Sequence, residues 1–212
     1  MIRPHSFTDR GNPLRCIFFL TLMLMGGCPS SQLGSEESDC PTCESNRCSE
    51  TECDFMSDCR VCPSAWNTSQ AEEEILMLEL VNNARRNGLT CPSGVLDPVA
   101  ELSMDMRLRA AARLHALDMG EHNFFSHDSR DGREPWDRME ETGYEGTAFG
   151  ENIAAGSDLA SITFDQWKSS DGHCRNMMDP QFNEIGIGFA VVDGSEYTNY
   201  WVQKFAQGAD EE

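Results

Sequence analysis

Lysine is almost missing from this chain: Lys168 and Lys204 are the only two in 212 residues, and 16 basic side chains face 36 acidic ones for a formal charge of −20. A surface so poor in positive charge repels phosphate backbones and anionic bilayers, which excludes nucleic acid as a partner. Long apolar runs are scarce too. The nine residues Ile17 to Met25 are too few to span a bilayer. Between Cys28 and about Gln70 there are almost no aliphatic residues, so that stretch forms no ordinary core. No internal repeat is present. No serine stands in a Gly-x-Ser-x-Gly elbow, which weakens a serine hydrolase reading.

Arg3, Arg10 and Arg15 ahead of the apolar run give residues 1–27 the form of an export leader. Leu24-Met25-Gly26-Gly27-Cys28 is similar to a bacterial lipoprotein cleavage box, with Met25 a mild departure from its aliphatic choice. Lipidation of Cys28 would anchor the exported chain to the cell envelope. The alternative is an ordinary secretory leader with Cys28 as one more half-cystine. Losing Arg3, Arg10, Arg15 and Asp9 with the leader takes the charge from −20 to −22. Membrane contact therefore falls to the lipid.

Residues 28–70 read as an acidic, cysteine-rich tether, a protease-resistant spacer holding the domain off the membrane. Cys40-Pro41-Thr42-Cys43 and Cys59-Arg60-Val61-Cys62 have the spacing of a four-thiolate zinc ribbon. Against that, Cys48 and Cys53 lie between them, and export favours oxidation, so three disulfides of unassigned pairing are the preferred reading. Asn67-Thr68-Ser69 has sequon form but is assigned no function.

Residues 71–212 carry the patterning of a globular domain. Ile75, Leu76, Leu78, Leu80, Val81 and Ala84 predict an amphipathic helix from Ala71 to about Asn87, with Glu72 to Glu74 favourably placed in its first turn. Asp97-Pro98 predicts the cap of a second helix reaching about Met119, with Met104, Leu108, Ala111, Ala112, His115 and Met119 on one face. On that apolar stripe His115 reads as a hydrogen-bonded core residue and is left out of the site. A short helix is predicted around Pro135 to Glu141, and another from a Ser157 cap to about Ser169. Arg138 is expected to pair with a nearby acid and is assigned no chemistry. Ile185 to Val192 and Tyr197 to Phe205 around Asp193-Gly194 predict a hairpin. Helices before and among a few late antiparallel strands indicate an α+β layered domain. Cys91 and Cys174 either pair with each other or stay reduced as small buried residues.

Three polar clusters stand at predicted element boundaries: Phe124-Phe125-Ser126-His127, Gly150-Glu151-Asn152-Ile153-Ala154 and Gly172-His173-Cys174-Arg175-Asn176-Met177. Together with Gly143-Tyr144, Trp167, Phe182, Glu184-Ile185-Gly186-Ile187-Gly188 and Tyr200-Trp201-Val202-Gln203, their order and spacing resemble the CAP superfamily (cysteine-rich secretory, antigen 5, pathogenesis-related), and its shorter bacterial SCP-like members most. The resemblance covers about 140 residues. It implies an α-β-α sandwich and one shared cleft containing His127, Glu151 and His173, with Ser126 and Asn152 beside them. The fourth acidic position of larger members falls at Ser170. Two imidazoles and one carboxylate suit zinc or another divalent cation with an open position, though no cofactor is required. Without metal, a carboxylate orienting an imidazole makes a general base. A polar cluster that only fixes the fold is the third option. The expected function is accordingly an envelope-anchored module binding a small ligand, an envelope component or a metal, with a peptidase-like hydrolase or a structural, adhesive protein as alternatives.

Overall fold

The computed structural model describes residues 59–62 and 65–208. The predicted leader, the Cys28 lipidation site, and Cys40, Cys43, Cys48 and Cys53 lie outside the described residues.

A four-stranded sheet in the order β3-β5-β6-β4 forms the middle layer. Its strands are β3 (Ser103–Met104), β4 (Thr147–Ala155), β5 (Glu184–Val191) and β6 (Asn199–Gln207). β5 and β6 are the predicted hairpin, antiparallel from Glu184↔Ala206 to Val191↔Asn199, and β3 joins β5 in parallel. A small antiparallel pair, β1 (Leu89–Cys91) and β2 (Gly94–Leu96), stands apart. Sequence patterning placed strands only late in the chain, and β4 corrects it. Gly150, Glu151 and Asn152 interrupt the hydrophobic alternation there, yet Gly150 to Ala155 pair continuously with Phe205 to Tyr200 of β6.

The helices are α1 (Thr68–Asn87), α2 (Met106–Glu121), α3 (Pro135–Glu141), α4 (Ala160–Lys168) and α5 (Asp171–Met178). Ile185, Ile187 and Phe189 of β5 point into one core with Met77 and Val81 of α1, Trp167 of α4 and Met177 of α5. On the other face of the strand α2 lies against Gly186 and Gly188. A Cβ on Gly186 would stand 2.0 Å from the Leu108 carbonyl carbon, and one on Gly188 2.3 Å from Arg113 N. The two glycines thus let a helix backbone touch the sheet, completing the expected α-β-α sandwich.

Several local expectations changed. Asn67 caps α1, its side chain accepting from Ser69 N (2.9 Å) and Gln70 N (3.4 Å). Ile75 and Leu76, placed on the apolar face, are 42% and 40% exposed, while Glu74 is fully buried. α2 starts at the Asp105 cap rather than at Asp97-Pro98, because α1 side chains hold the preceding segment extended. Asn82 exchanges two hydrogen bonds with Leu102, and Arg85 donates to the Ala100 carbonyl. Ser157 accepts from Leu159 N, but Leu159 itself is the cap residue of α4.

Glu74 joins the two helical layers. Its carboxylate takes Arg109 Nη2 at 2.6 Å, Arg113 Nη2 at 2.6 Å and, past the end of β3, the backbone N–H of Phe189 at 3.1 Å. Arg113 continues outward to the Val61 carbonyl (3.1 Å) and stacks 4.6 Å over the Trp66 ring. Packing therefore extends N-terminally from residue 71 through a 3-10 turn at Cys59–Val61. Cys62, buried beside it, is disulfide-bonded, which favours oxidation over a zinc ribbon for that thiol.

Candidate functional site

β4 places Glu151 directly opposite Lys204 of β6. Their side chains rise on the α2 side, where α3 supplies Arg138 and the loop after α2 supplies His127. Glu151 is 3% exposed, Arg138 4% and Lys204 0%. The carboxylate is divided among three neighbours: Oε1 meets His127 Nδ1 at 2.7 Å, Oε2 meets Arg138 Nη2 at 3.0 Å, and Lys204 Nζ contacts Oε2. Burial alone would raise its pKa. The His127 hydrogen bond and the positive charges around it more than offset that and hold it at about 2. An ionised carboxylate only accepts, so His127 Nδ1 carries the hydrogen and Nε2 is left for whatever enters.

Arg138 also fixes the loop, donating to the His127 carbonyl (2.7 Å), the Arg133 carbonyl (3.1 Å) and the Ser129 hydroxyl (3.0 Å). His115 holds the same loop from below. Its Nε2 donates to the Ser126 carbonyl at 3.0 Å, leaving a buried Nδ1 without a partner, and burial pushes its pKa down to about 3. The core role expected for His115 holds. Lys204, whose pKa burial lowers to about 8, also donates to the Pro135 carbonyl at 3.1 Å.

Asn152, one residue along β4, points to the opposite face. Its Nδ2 donates to the His173 carbonyl (3.1 Å) and to Gln203 Oε1 (3.0 Å), and its Oδ1 accepts from Asn176 at 2.9 Å. These bonds lash α5, with His173 in its first turn, to the β4 edge. The other side of α5 is stapled by the Cys91–Cys174 disulfide, Cα atoms 5.8 Å apart, by Asp171 accepting from Ser93 N, and by Arg175 donating to Ser93 Oγ. His173 is half-buried; burial lowers its pKa and the neighbouring His127 lowers it further. Ser170 is the cap residue of α5 without a side-chain capping bond, and Ser126 Oγ accepts from Asp128 N.

The structure joins Glu151 directly to His127, and Asn152, on the opposite face, to the helix that carries His173; Glu151 has a different part from the one foreseen. Both its oxygens are engaged by protein groups. Among the described residues no three His, Cys, Asp or Glu side chains converge in a metal-holding arrangement, so a three-ligand zinc site does not fit. Arg138 and Lys204 were not foreseen as site residues. A signal existed: Lys204, one of two lysines, sits inside the apolar run of β6, and a lysine in such a strand is buried only when paired. A groove of about 540 Å³ runs along α1 past Leu76, Asn83 and Arg86. Its charge chemistry is the exposed Arg86–Glu101 pair, so the constellation around Glu151 carries the functional reading.

Over 103 residues the chain is 35% identical to the uncharacterized protein YkwD of Bacillus subtilis, covering 49% of this chain and 40% of that one. It is 29% identical over 141 residues to the uncharacterized membrane protein YlbC of the same organism, covering 66% and 37%. The chain thus spans about two fifths of the length of these relatives. Among solved structures, an extracellular SCP-domain protein from Bacillus anthracis superposes with a TM-score of 0.53 at 26% identity, covering 65% of this chain and 41% of that one. An outer surface protein from Borrelia burgdorferi, 17% identical with a TM-score of 0.54 over 65% of this chain and 94% of its own, shares the fold. Residues 78–205, more than half of the chain, match the cysteine-rich secretory protein family, CAP, and the chain belongs to that family.

Proposed function

We propose that this domain is an exported binding module that takes a small polar ligand or an exposed group of an envelope component on the imidazoles of His127 and His173. The carrying observation is the division of labour around Glu151. A carboxylate spent on Arg138, Lys204 and His127 Nδ1 orients one imidazole and leaves its Nε2 outward, on a side chain 49% exposed. The expectation of a divalent cation narrows to the two imidazoles. Export is supported by the Cys91–Cys174 disulfide and by the extracellular and outer-surface descriptions of the Bacillus anthracis and Borrelia burgdorferi proteins. Lipid anchoring at Cys28 belongs to this proposal as the route to the membrane. Among the described residues no helix is long and apolar enough to cross one.

The test is an NMR titration of the mature chain with zinc chloride, sodium phosphate or soluble peptidoglycan fragments. At least one is expected to move the His127 and His173 ring resonances together and saturably, leaving His122, exposed and paired with Asp118, in place. If none moves them, the binding reading is wrong.

The His127–Glu151 dyad favours one second reading, an envelope hydrolase in which His127 activates water. Cys174 is no nucleophile, being in a disulfide. Turnover of peptidoglycan fragments that disappears in His127→Gln would establish it, and turnover that persists would mark a contaminant.

A further inference from the structure

Behind the His127 loop two buried nitrogens have no partner among the described residues: Nδ1 of His115 and Nε of Arg138, in residues 1% and 4% exposed. The other nitrogens of both side chains are committed. His115 Nε2 is held by the Ser126 carbonyl, Arg138 Nη1 by Ser129 and the Arg133 carbonyl, and Arg138 Nη2 by the His127 carbonyl and Glu151. Both residues line one cavity of about 30 Å³, room for a single water-sized group, and these two atoms are what they have left to offer it. Their chemistries are opposite. A carbonyl only accepts, so His115 Nε2 carries the hydrogen, and burial keeps the ring neutral; Nδ1 is therefore an acceptor, whereas the guanidinium Nε only donates. An ionised carboxylate cannot donate to Nδ1, an ammonium cannot accept from Nε, and a metal ion on Nδ1 would face the charge of Arg138. A hydroxyl serves both nitrogens with one oxygen, and so removes the cost of burying them unpaired.

We propose that this cavity and the groove beside it form a second binding site, for a neutral saccharide, one hydroxyl of which seats between His115 Nδ1 and Arg138 Nε while a neighbouring hydroxyl bonds to the Glu141 carboxylate. The site does not depend on the reading of the His127 and His173 cleft. The groove measures about 340 Å³, within the usual range of small-ligand sites of about 300–1,000 Å³. It shares Leu114, Asp118, Arg133 and Glu141 with the cavity, so these four residues form the boundary between the two. Arg133 and Glu141 are an exposed ion pair, 2.7 Å apart, and pairs of this kind are weak enough to open. The other charges of the groove are matched as well, Arg60 with Glu121 and His122 with Asp118. A ligand of net charge has to break a pair to be answered, whereas vicinal hydroxyls donate to the carboxylates and accept from the guanidiniums as they stand. Half-buried Leu114 and Leu117 supply an apolar strip for the C–H face of a sugar ring.

The experiment titrates the nitrogen-labelled mature chain separately with methyl glucoside, N-acetylglucosamine, maltose and sodium acetate, following the nitrogen resonances of His115 Nδ1 and Arg138 Nε beside the rings of His127 and His173. At least one of the three sugars is expected to move His115 Nδ1 and Arg138 Nε together and saturably. Acetate, which only accepts, is expected to move neither. Glu141→Ala removes a groove contact without touching the core, since Arg133 keeps Asp131 at 2.7 Å, and is expected to weaken binding of that sugar about tenfold. Failure of all three sugars to move either nitrogen, the result for an ordered water alone, overturns the site. Undiminished affinity in Glu141→Ala overturns it as well. A sugar that moves the His127 and His173 rings but neither His115 Nδ1 nor Arg138 Nε puts the saccharide in the cleft, which overturns this proposal and leaves the binding module standing.

Discussion

Glu151 and Lys204 are directly opposed residues on β4 and β6, and their side chains meet under His127 with Arg138 closing the third side. A cross-strand pair that is ordinarily half-wet is here wholly buried, and it sets which atom of His127 reaches the solvent. Exchanging Glu151 for Gln leaves two buried cations facing each other. A loss of about 3–5 kcal/mol is expected, read as a lower urea midpoint, because removing one partner of a buried pair exposes the cost of burying the other.

His115 makes stability depend on acid. Its pKa falls from an ordinary 6.5 to about 3 in the fold, mainly through burial. Between those values the unfolded chain holds a proton that the folded one lacks, so stability drops as pH falls through the window, by about 1.4 kcal/mol per unit. Half-buried His173, also lowered, acts in the same sense. Glu151 adds a second phase: its contribution is present above about 4.5 and lost toward 2. Denaturation curves from pH 7 to 5 should show the slope, and His115→Phe should flatten it while lowering stability throughout, since the Ser126 tie goes too.

Glu74 should matter far more than its place in the first turns of α1 suggests. Glu74→Gln is expected to cost about 3–5 kcal/mol by leaving Arg109 and Arg113 without their carboxylate. Glu79→Gln, exposed on the same helix, should stay within about 0.5 kcal/mol. Equal effects of the two in thermal melts would contradict the assignment.

The Cys91–Cys174 bond closes a separation of 83 residues and adjoins His173. Replacing both cysteines by serine should destabilise the chain by about 2–4 kcal/mol. Intact mass should rise on reduction and alkylation of the native protein, and this bond should account for one pair of added groups.

What the sequence made legible was whatever a local pattern encodes. The β5–β6 hairpin announced itself by its Asp193-Gly194 turn, and the apolar stripe of α2 by Leu108, Ala111, Ala112, His115 and Met119. β4 stayed hidden because the residues that build the site, Gly150 to Asn152, are the ones that spoil its alternation. Asp97-Pro98 resembled a helix cap until Asn82 and Arg85, from a distant helix, claimed the backbone that follows it. The histidines of the cleft were found through family resemblance. Arg138 and Lys204 were not, because pairing across 13 and 53 residues leaves no periodic trace, and Glu74 figured only as a first-turn acid favourable to the helix dipole, since its two arginines lie 35 and 39 residues away.

The most direct test of the account is the tautomer of His127, read from long-range proton–nitrogen correlations on labelled protein at neutral pH. A Glu151 carboxylate held by Arg138 and Lys204 requires the hydrogen on Nδ1 and an open Nε2, the less common neutral form. Finding the hydrogen on Nε2, with Nδ1 bare toward Glu151, would contradict the arrangement on which the binding site is built.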